Sequence, residues 1–146
     1  MKKLLAIALL LCVCLSAVSC MPTSASSELP KDPTDLKEKM EGKGYEVFVW
    51  EDSEDIRAEL SILDLPSYGA TVVVGAVDKE DEENIVIAIY YRDAESANDA
   101  YDQLKENWDD LMDWLDRENP DDFRRGKSGN VVYLGDKGAV EDALAK

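Results

Sequence analysis

The cysteines of this chain are confined to its first twenty residues, at positions 12, 14 and 20, and the chain contains no histidine. Internal disulfide bonds and thiolate metal sites are therefore not available to the remainder of the chain. We expect a domain that depends on its hydrophobic core alone. Catalytic pairs of the Ser-His and Cys-His kinds are excluded from it for the same reason.

The first nineteen residues have the order of a secretory signal peptide. Two lysines open the segment, an apolar run follows from Leu4 to Leu15, and small residues lead to Cys20. The apolar run falls short of the roughly 20 residues that a membrane-spanning helix needs. We therefore expect residues 1–19 to be removed on export, and two of the three cysteines with them.

The segment Ala17-Val18-Ser19-Cys20 resembles the lipobox of bacterial lipoprotein precursors. The resemblance implies a diacylglyceryl group on the Cys20 thiol, cleavage before this residue, and a lipid anchor at the extracytoplasmic face of the cell membrane. Ala17 departs from the family pattern, which prefers Leu there. The residues before Cys20 also satisfy the small-x-small rule of the ordinary signal peptidase, which would release a soluble protein with a free thiol.

Acidic residues outnumber basic residues two to one, and the whole chain carries a net charge of −16. Without Lys2 and Lys3 of the signal, 14 basic residues remain against 32 acidic ones, a net charge of −18. Such a surplus repels nucleic acid and anionic lipid. It therefore excludes nucleic acid as the expected partner and favours a basic protein or peptide. No motif in the sequence calls for a cofactor.

The chain divides by composition into three segments. Residues 20–33 are rich in Ser, Thr and Pro and lack hydrophobic periodicity, so we predict a flexible tether. Residues 34–146 have a length suited to one domain with one core. We therefore expect a signal at 1–19, a lipidated cysteine and tether at 20–33, and an acidic α+β domain at 34–146.

Strands and helices alternate in the predicted domain. Four segments have the β-branched and aromatic content of strands: Tyr45–Trp50, Ala70–Val77, Asn84–Tyr91 and Asn130–Leu134. Ser53 is the predicted cap of one helix, and Asp93 caps a longer helix that reaches about residue 119. Apolar residues of the longer helix recur at alternating intervals of three and four, which indicates one buried face. Short helices are expected at both ends of the domain.

Without the end helices, the element order is β-α-β-β-α-β, which is similar to the split βαβ, or ferredoxin-like, arrangement. This order predicts a single α+β domain with a four-stranded antiparallel sheet and its helices on one face. The first and third strands would be central. Fold similarity of this kind carries no function, because many activities share the arrangement.

Three surface features of the longer helix and the segment after it are candidates for binding. The acidic face of the helix, with Asp109, Asp113 and Asp116, either docks a basic partner or is merely the solvated side. Trp114 lies at the boundary of this face, where it would suit a cation or a sugar ring, or pack under a loop. The basic cluster that begins with Arg124 and Arg125 is an internal partner for the acidic surface or a solubilising loop.

Acidic residues also raise two other hypotheses. The predicted hairpin loop offers Asp78, Glu80, Asp81 and Glu83 as oxygen ligands for Ca²⁺, although it lacks EF-hand spacing and suits a solvated turn equally well. A hydrolase of wall polymers would need two carboxyl groups about 5–9.5 Å apart across a cleft. The sequence therefore favours a non-enzymatic binding or accessory module. A cation-responsive surface domain and a carboxylate-dependent hydrolase remain as alternatives.

Overall fold

The computed structural model describes residues 28–116 and 120–145, which form five α-helices and five β-strands. The protein therefore belongs to the α+β class, as predicted. In chain order the elements are α1 (Pro33–Gly42), β1 (Tyr45–Trp50), α2 (Ser53–Ile62), β2 (Ala70–Asp78), β3 (Ile85–Tyr91), α3 (Ala94–Glu106), α4 (Trp108–Trp114), β4 (Phe123–Ser128), β5 (Val131–Asp136) and α5 (Lys137–Leu144).

The five strands form one antiparallel sheet in the order β1-β2-β3-β5-β4. The third strand is central, as predicted, whereas the prediction of a central first strand is wrong because β1 lies at an edge. The ferredoxin-like arrangement is built on parallel crossover units. Here the chain returns from α2 so that β2 pairs directly with β1 in the antiparallel sense. The other three strands all lie beyond β2, on the side away from β1.

The predicted count of four strands is also wrong, because Phe123–Ser128 forms an additional strand, β4, at the second edge. The basic residues Arg124 and Arg125, interpreted from the sequence as part of a loop, lie on this strand. A turn at Gly129, whose φ is 60°, returns the chain to β5. An edge strand faces solvent on one side, so β4 carries charged residues and a glycine and lacks the apolar pattern of an internal strand.

Helices cover both faces of the sheet, which corrects the prediction of helices on one face only. Helices α2, α3 and α4 pack on one side, where Leu60 and Leu104 meet Val73 and Ile89. The short end helices α1 and α5 pack on the other side in a second core of their own. This second layer explains why β3 is apolar along its length, since a strand buried on both faces reads as a continuous hydrophobic run.

The predicted long helix is divided at Asn107, which ends α3 and begins α4. The Asn107 side chain donates to the Asp64 carboxylate at 2.7 Å. Asparagine favours helix ends because its amide competes for polar partners. The apolar stripe persists across the break: Ala97, Leu104 and Leu111 are buried, and Tyr101, Trp108 and Leu115 are half-buried.

Aspartates cap the two helices that pack beside each other on the sheet. The Asp93 carboxylate accepts from the Ser96 amide at 2.8 Å and confirms the predicted cap of α3. The cap of α2 is Asp52, whose carboxylate accepts from the Glu54 amide at 2.8 Å, so the prediction of Ser53 is wrong by one residue. Both side chains satisfy amides that have no partner within the helix.

The packed part of the chain begins upstream of the predicted boundary at Thr34. Leu29 is buried in the core beneath α1, and the Tyr90 hydroxyl donates to the Pro30 carbonyl at 2.9 Å. The predicted signal peptide and Cys20, the predicted lipidation site, lie outside the described residues. Within the described ranges, no helix combines the length and the apolar character needed to span a membrane.

Candidate functional site

The acidic hairpin between β2 and β3 uses its carboxylates to close its own turn. Asp78 accepts from the Glu80 amide at 2.9 Å and from the Asn84 side chain at 3.2 Å, and these bonds hold its pKa below the usual range. Asp81 accepts from the Glu83 amide at 3.2 Å. No group of three or more acidic, His or Cys side chains among residues 28–116 and 120–145 is arranged to hold a metal ion. The hairpin therefore has the geometry of a turn whose own carboxylates accept hydrogen bonds from its backbone amides.

Trp114 lies at the end of α4 with 62 % of its surface exposed. Asp109 and Asp113 are exposed on the same short helix, and Asp116 follows it with a φ of 49°. These residues form an acidic, solvated helix end that carries one aromatic ring.

Arg124 and Arg125, the adjacent basic residues of β4, lie on opposite faces of that strand. Arg125 lies over the Trp108 ring at 4.3 Å, and Trp108 in turn contacts Phe123 with 5.8 Å between ring centres. Arg124 is exposed on the opposite face of the strand. The structure therefore joins Arg125 to the half-buried Trp108, and no described ring or ion-pair contact joins Trp114 to either arginine.

A partly buried polar network ties the start of β1 to α5. The Tyr45 hydroxyl donates to Asp142 at 2.9 Å and accepts from the Asn84 side chain at 3.0 Å. Asn84 also accepts from the Ala139 amide at 2.9 Å, and Lys43 pairs with Asp142 at 2.8 Å. Burial and the Asp142 carboxylate raise the pKa of Tyr45. Because every member is partnered, the network acts as a structural lock for the end of β1.

The remainder of β1 carries apolar side chains that the helices leave partly uncovered. Phe48 is 42 % exposed and its ring stacks on that of Trp50 at 6.1 Å. The register sets Phe48 beside Gly75 and Ile87 on the same face of the sheet. We name this surface the β1 patch; its members, all at least partly exposed, are Phe48, Trp50, Val77, Ile85 and Ile87.

Gly75, beneath the β1 patch, leaves room for the ring of Trp50. A methyl group on Gly75 would come within 3.0 Å of the Trp50 ring. The ring therefore occupies the space that a side chain on β2 would take. The result is an aromatic surface, formed by the stacked rings of Phe48 and Trp50, that extends to the sheet edge.

The outer side of β1 has unpaired backbone positions. The Lys79 amide donates to the Gly44 carbonyl at 3.3 Å, so Gly44 and Lys79 form a hydrogen-bonded pair of the β1–β2 ladder. Hydrogen-bonded and non-hydrogen-bonded pairs alternate along antiparallel strands. The amides and carbonyls of Tyr45, Val47 and Val49 therefore point away from β2, and in the described part of the chain no strand lies beyond them.

A cavity of about 410 Å³ lies beside this edge on the α1 side of the sheet. Its lining residues are Pro33, Thr34, Lys37, Val49 and Glu51. Val49 is itself 37 % exposed. The cavity has one acidic lining residue, so it does not provide the carboxylate pair that a hydrolase would need.

The β1 patch on one face of the sheet and the cavity on the other lie on either side of the open backbone of β1, an arrangement suited to binding an extended polypeptide. Sequence reasoning identified β1 as a strand and placed Trp50 at its end, but it did not identify Phe48 or Val49 as exposed. The one available signal was the polar neighbour Glu46 on the Phe48 face of the strand. Searches against known protein families, curated proteins and solved structures find no match for this chain.

Proposed function

We propose that this protein is a lipid-anchored, extracytoplasmic binding module that holds a protein partner without catalysis. The observation that carries the proposal is the β1 patch, an aromatic surface that continues into an open strand edge. Contiguous exposed apolar surface of this kind marks interaction sites in soluble domains. The surplus of negative charge favours a basic partner.

The arrangement of the two sheet faces supports the anchored orientation. Leu29, where the segment that leads back to Cys20 enters the core, lies with α1 and α5. The β1 patch lies on the opposite face, with α2 and α3. A domain tethered through Leu29 would therefore keep the patch available to partners on the side away from its tether.

The anchor is tested by replacing the cysteine to which it would be attached. We expect Cys20→Ala to move the protein from the membrane fraction to the soluble fraction and to remove the acyl mass from the N-terminal peptide. Cys14→Ala is the matched control, since it lies within the signal and should leave anchoring intact. Retention of the Cys20→Ala variant in the membrane, or an unmodified Cys20 in the native protein, would contradict the lipid anchor.

The binding role is tested by crosslinking in intact cells. A photoreactive amino acid replaces Phe48 in one variant and Lys127 in another, so that each edge of the sheet carries one probe. We expect a discrete adduct from position 48 and none from position 127. If position 48 yields no adduct, or if both positions yield the same adducts, the β1 patch is not a specific binding surface.

A further inference from the structure

We infer that β1 binds an extended segment of another exported protein, one that alternates apolar and basic residues and adds to the sheet as a sixth strand. The inference rests on the proposed binding function and specifies how the partner is recognised and what its chemistry is. Strand addition of this kind takes affinity from backbone hydrogen bonds and specificity from alternate side chains.

The backbone of β1 supplies the first element of recognition. Tyr45, Val47 and Val49 present their amides and carbonyls at every second position along the open side. The far end of the strand is held by the lock of Tyr45 on Asp142 and Asn84. An incoming strand therefore meets a rigid ladder, and little conformational entropy of the protein is lost on binding.

Side chains on the two faces of the edge supply the second element. On one face, Phe48 would lie beside an apolar side chain of the added strand and extend the β1 patch across it. On the other face, the next side chain of the added strand would project over the cavity beside Val49. Alternate residues of the ligand thus have different environments, which selects an alternating sequence.

The charge around the edge favours basic residues in the ligand. Glu51 follows the strand at the cavity, toward which alternate side chains of the ligand would project, and Glu46 is exposed at the margin of the β1 patch, two residues from Phe48 on the same face. More exposed acids begin α2 immediately afterwards, namely Asp52, Glu54 and Asp55. Complementary charge accelerates association and rejects acidic segments. A second copy of this chain would bring the same acids and, without its signal, a net charge of −18 to the edge, which disfavours self-pairing.

The test uses synthetic peptides and the full chain purified from cells in detergent. The probe is a capped, fluorescent peptide in which Lys and Val alternate. The first control has the same composition with the valines in one block, and the second replaces Lys by Glu. We expect the alternating basic peptide to bind most tightly by fluorescence anisotropy. Equal binding of the alternating and block peptides would overturn the inference, because only general electrostatic attraction would then remain.

A pair of variants separates strand addition from side-chain contact. Val49→Pro removes an outward amide that makes no bond to β2, and a sheet tolerates proline at such an edge position. We expect it to weaken binding of the alternating peptide about tenfold, the effect of losing one or two hydrogen bonds. Val49→Thr keeps the amide and the branched side chain and should bind as the native protein does. Unchanged binding by Val49→Pro would contradict strand addition.

Modified peptides repeat the test without altering the protein. Two methylated forms of the alternating peptide are compared. Each carries N-methyl groups on the amides of one edge of the extended peptide, and only one edge faces β1 in a given register. One methylated form should lose binding and the other should retain it; equal affinity of both forms would contradict the inference even if Val49→Pro failed to fold.

Two results distinguish failure of the inference from failure of the proposed function. Adducts from position 48 in cells, with no preference for the alternating peptide, would support the proposed binding function and contradict strand addition. Native protein that sediments as a dimer, and becomes monomeric with Val49→Pro, would assign the edge to a second copy and overturn the inference.

Discussion

The β1 and β4 edges belong to the same sheet, and each lacks a partner strand on its outer side among the described residues. At β4 the exposed side chains are Arg124 and Lys127, and at β1 they include Phe48 and Val49. Charged side chains on an edge discourage pairing with other strands. The β4 edge is therefore protected by its own residues, whereas β1 combines open backbone with apolar surface.

An aromatic ring lies across a glycine near each edge, but the two arrangements are reversed. At β1 the ring of Trp50 belongs to the edge strand and covers Gly75 of its neighbour. At β4 the glycine, Gly126, belongs to the edge strand and the ring of Tyr133 covers it from β5. The edge strand β4 is thus covered by its neighbour, and β1 presents its own ring to solvent.

The largest effect that tests this comparison is expected from alanine at these two glycines. A methyl group on Gly126 would overlap the Tyr133 ring, so Gly126→Ala should destabilise the fold by about 2 kcal/mol, a typical cost of overpacking. At Gly75 the Trp50 ring needs only a small shift, which the lower chain entropy of alanine offsets; Gly75→Ala should fall within about 0.5 kcal/mol of native. Urea unfolding measures both, and equal losses would contradict the reversed arrangement.

A smaller effect is expected where β1 is fastened to α5. Tyr45→Phe removes the hydroxyl that joins Asp142 to Asn84, and we expect a loss of about 1 kcal/mol in the free energy of unfolding. Tyr133→Phe is the matched variant beside β4, because the Tyr133 hydroxyl has no hydrogen bond within the described ranges. It should leave stability unchanged. If both variants lose equally, the lock at Tyr45 contributes nothing specific.

The cation over Trp108 provides a still smaller test on the β4 side. Arg125→Gln should cost about 0.5–1 kcal/mol, the usual range for a partly exposed cation–aromatic contact. Arg124→Gln removes the same charge from an exposed position and should have no measurable effect. Chemical denaturation followed by tryptophan fluorescence compares them. A cost that is the same for both arginines would indicate a general charge effect.

The smallest effect concerns acid sensitivity near the start of β1, where Asp78 pairs in register with Tyr45. The hydrogen bonds from Glu80 and Asn84 lower the pKa of Asp78 in the folded protein. The contribution of Asp78 to the free energy of unfolding is therefore present above about pH 3.9, the pKa of an unfolded Asp, and is lost as the pH falls through the lowered value. Asp78→Asn should therefore lose less stability than the native protein between neutral pH and about pH 3. Denaturation at the two pH values measures this, and parallel losses would contradict it.

Local sequence patterns predicted most of the individual elements. The β-branched runs predict β1, β2, β3 and β5, and the spacing of three and four indicates the buried faces of α3 and α4, although it does not indicate the boundary between them. The cap at Asp93 followed from the short-range chemistry of helix starts. These signals are contained within a few residues, so they do not depend on the rest of the fold.

The candidate surface was predicted less well, for a physical reason. Trp114, Arg124 and Arg125 are single residues whose chemistry is evident in sequence, but within the described ranges no ring or ion-pair contact joins Trp114 to either arginine. Phe48 has the appearance of an ordinary strand residue. Its exposure depends on which part of the sheet α2 and α3 cover, and no local pattern records that.

The sequence by itself determined the absence of thiol and histidine chemistry in the domain, its negative charge and the local periods of its helices and strands, because each is a property of composition or of near neighbours. Tertiary structure alone decided that β1 lies at an edge, that Phe123–Ser128 is a strand, and that helices cover both faces. Strand order is set by pairing between distant segments. The exposed β1 patch follows from that order, since Phe48 would be buried if β1 were central.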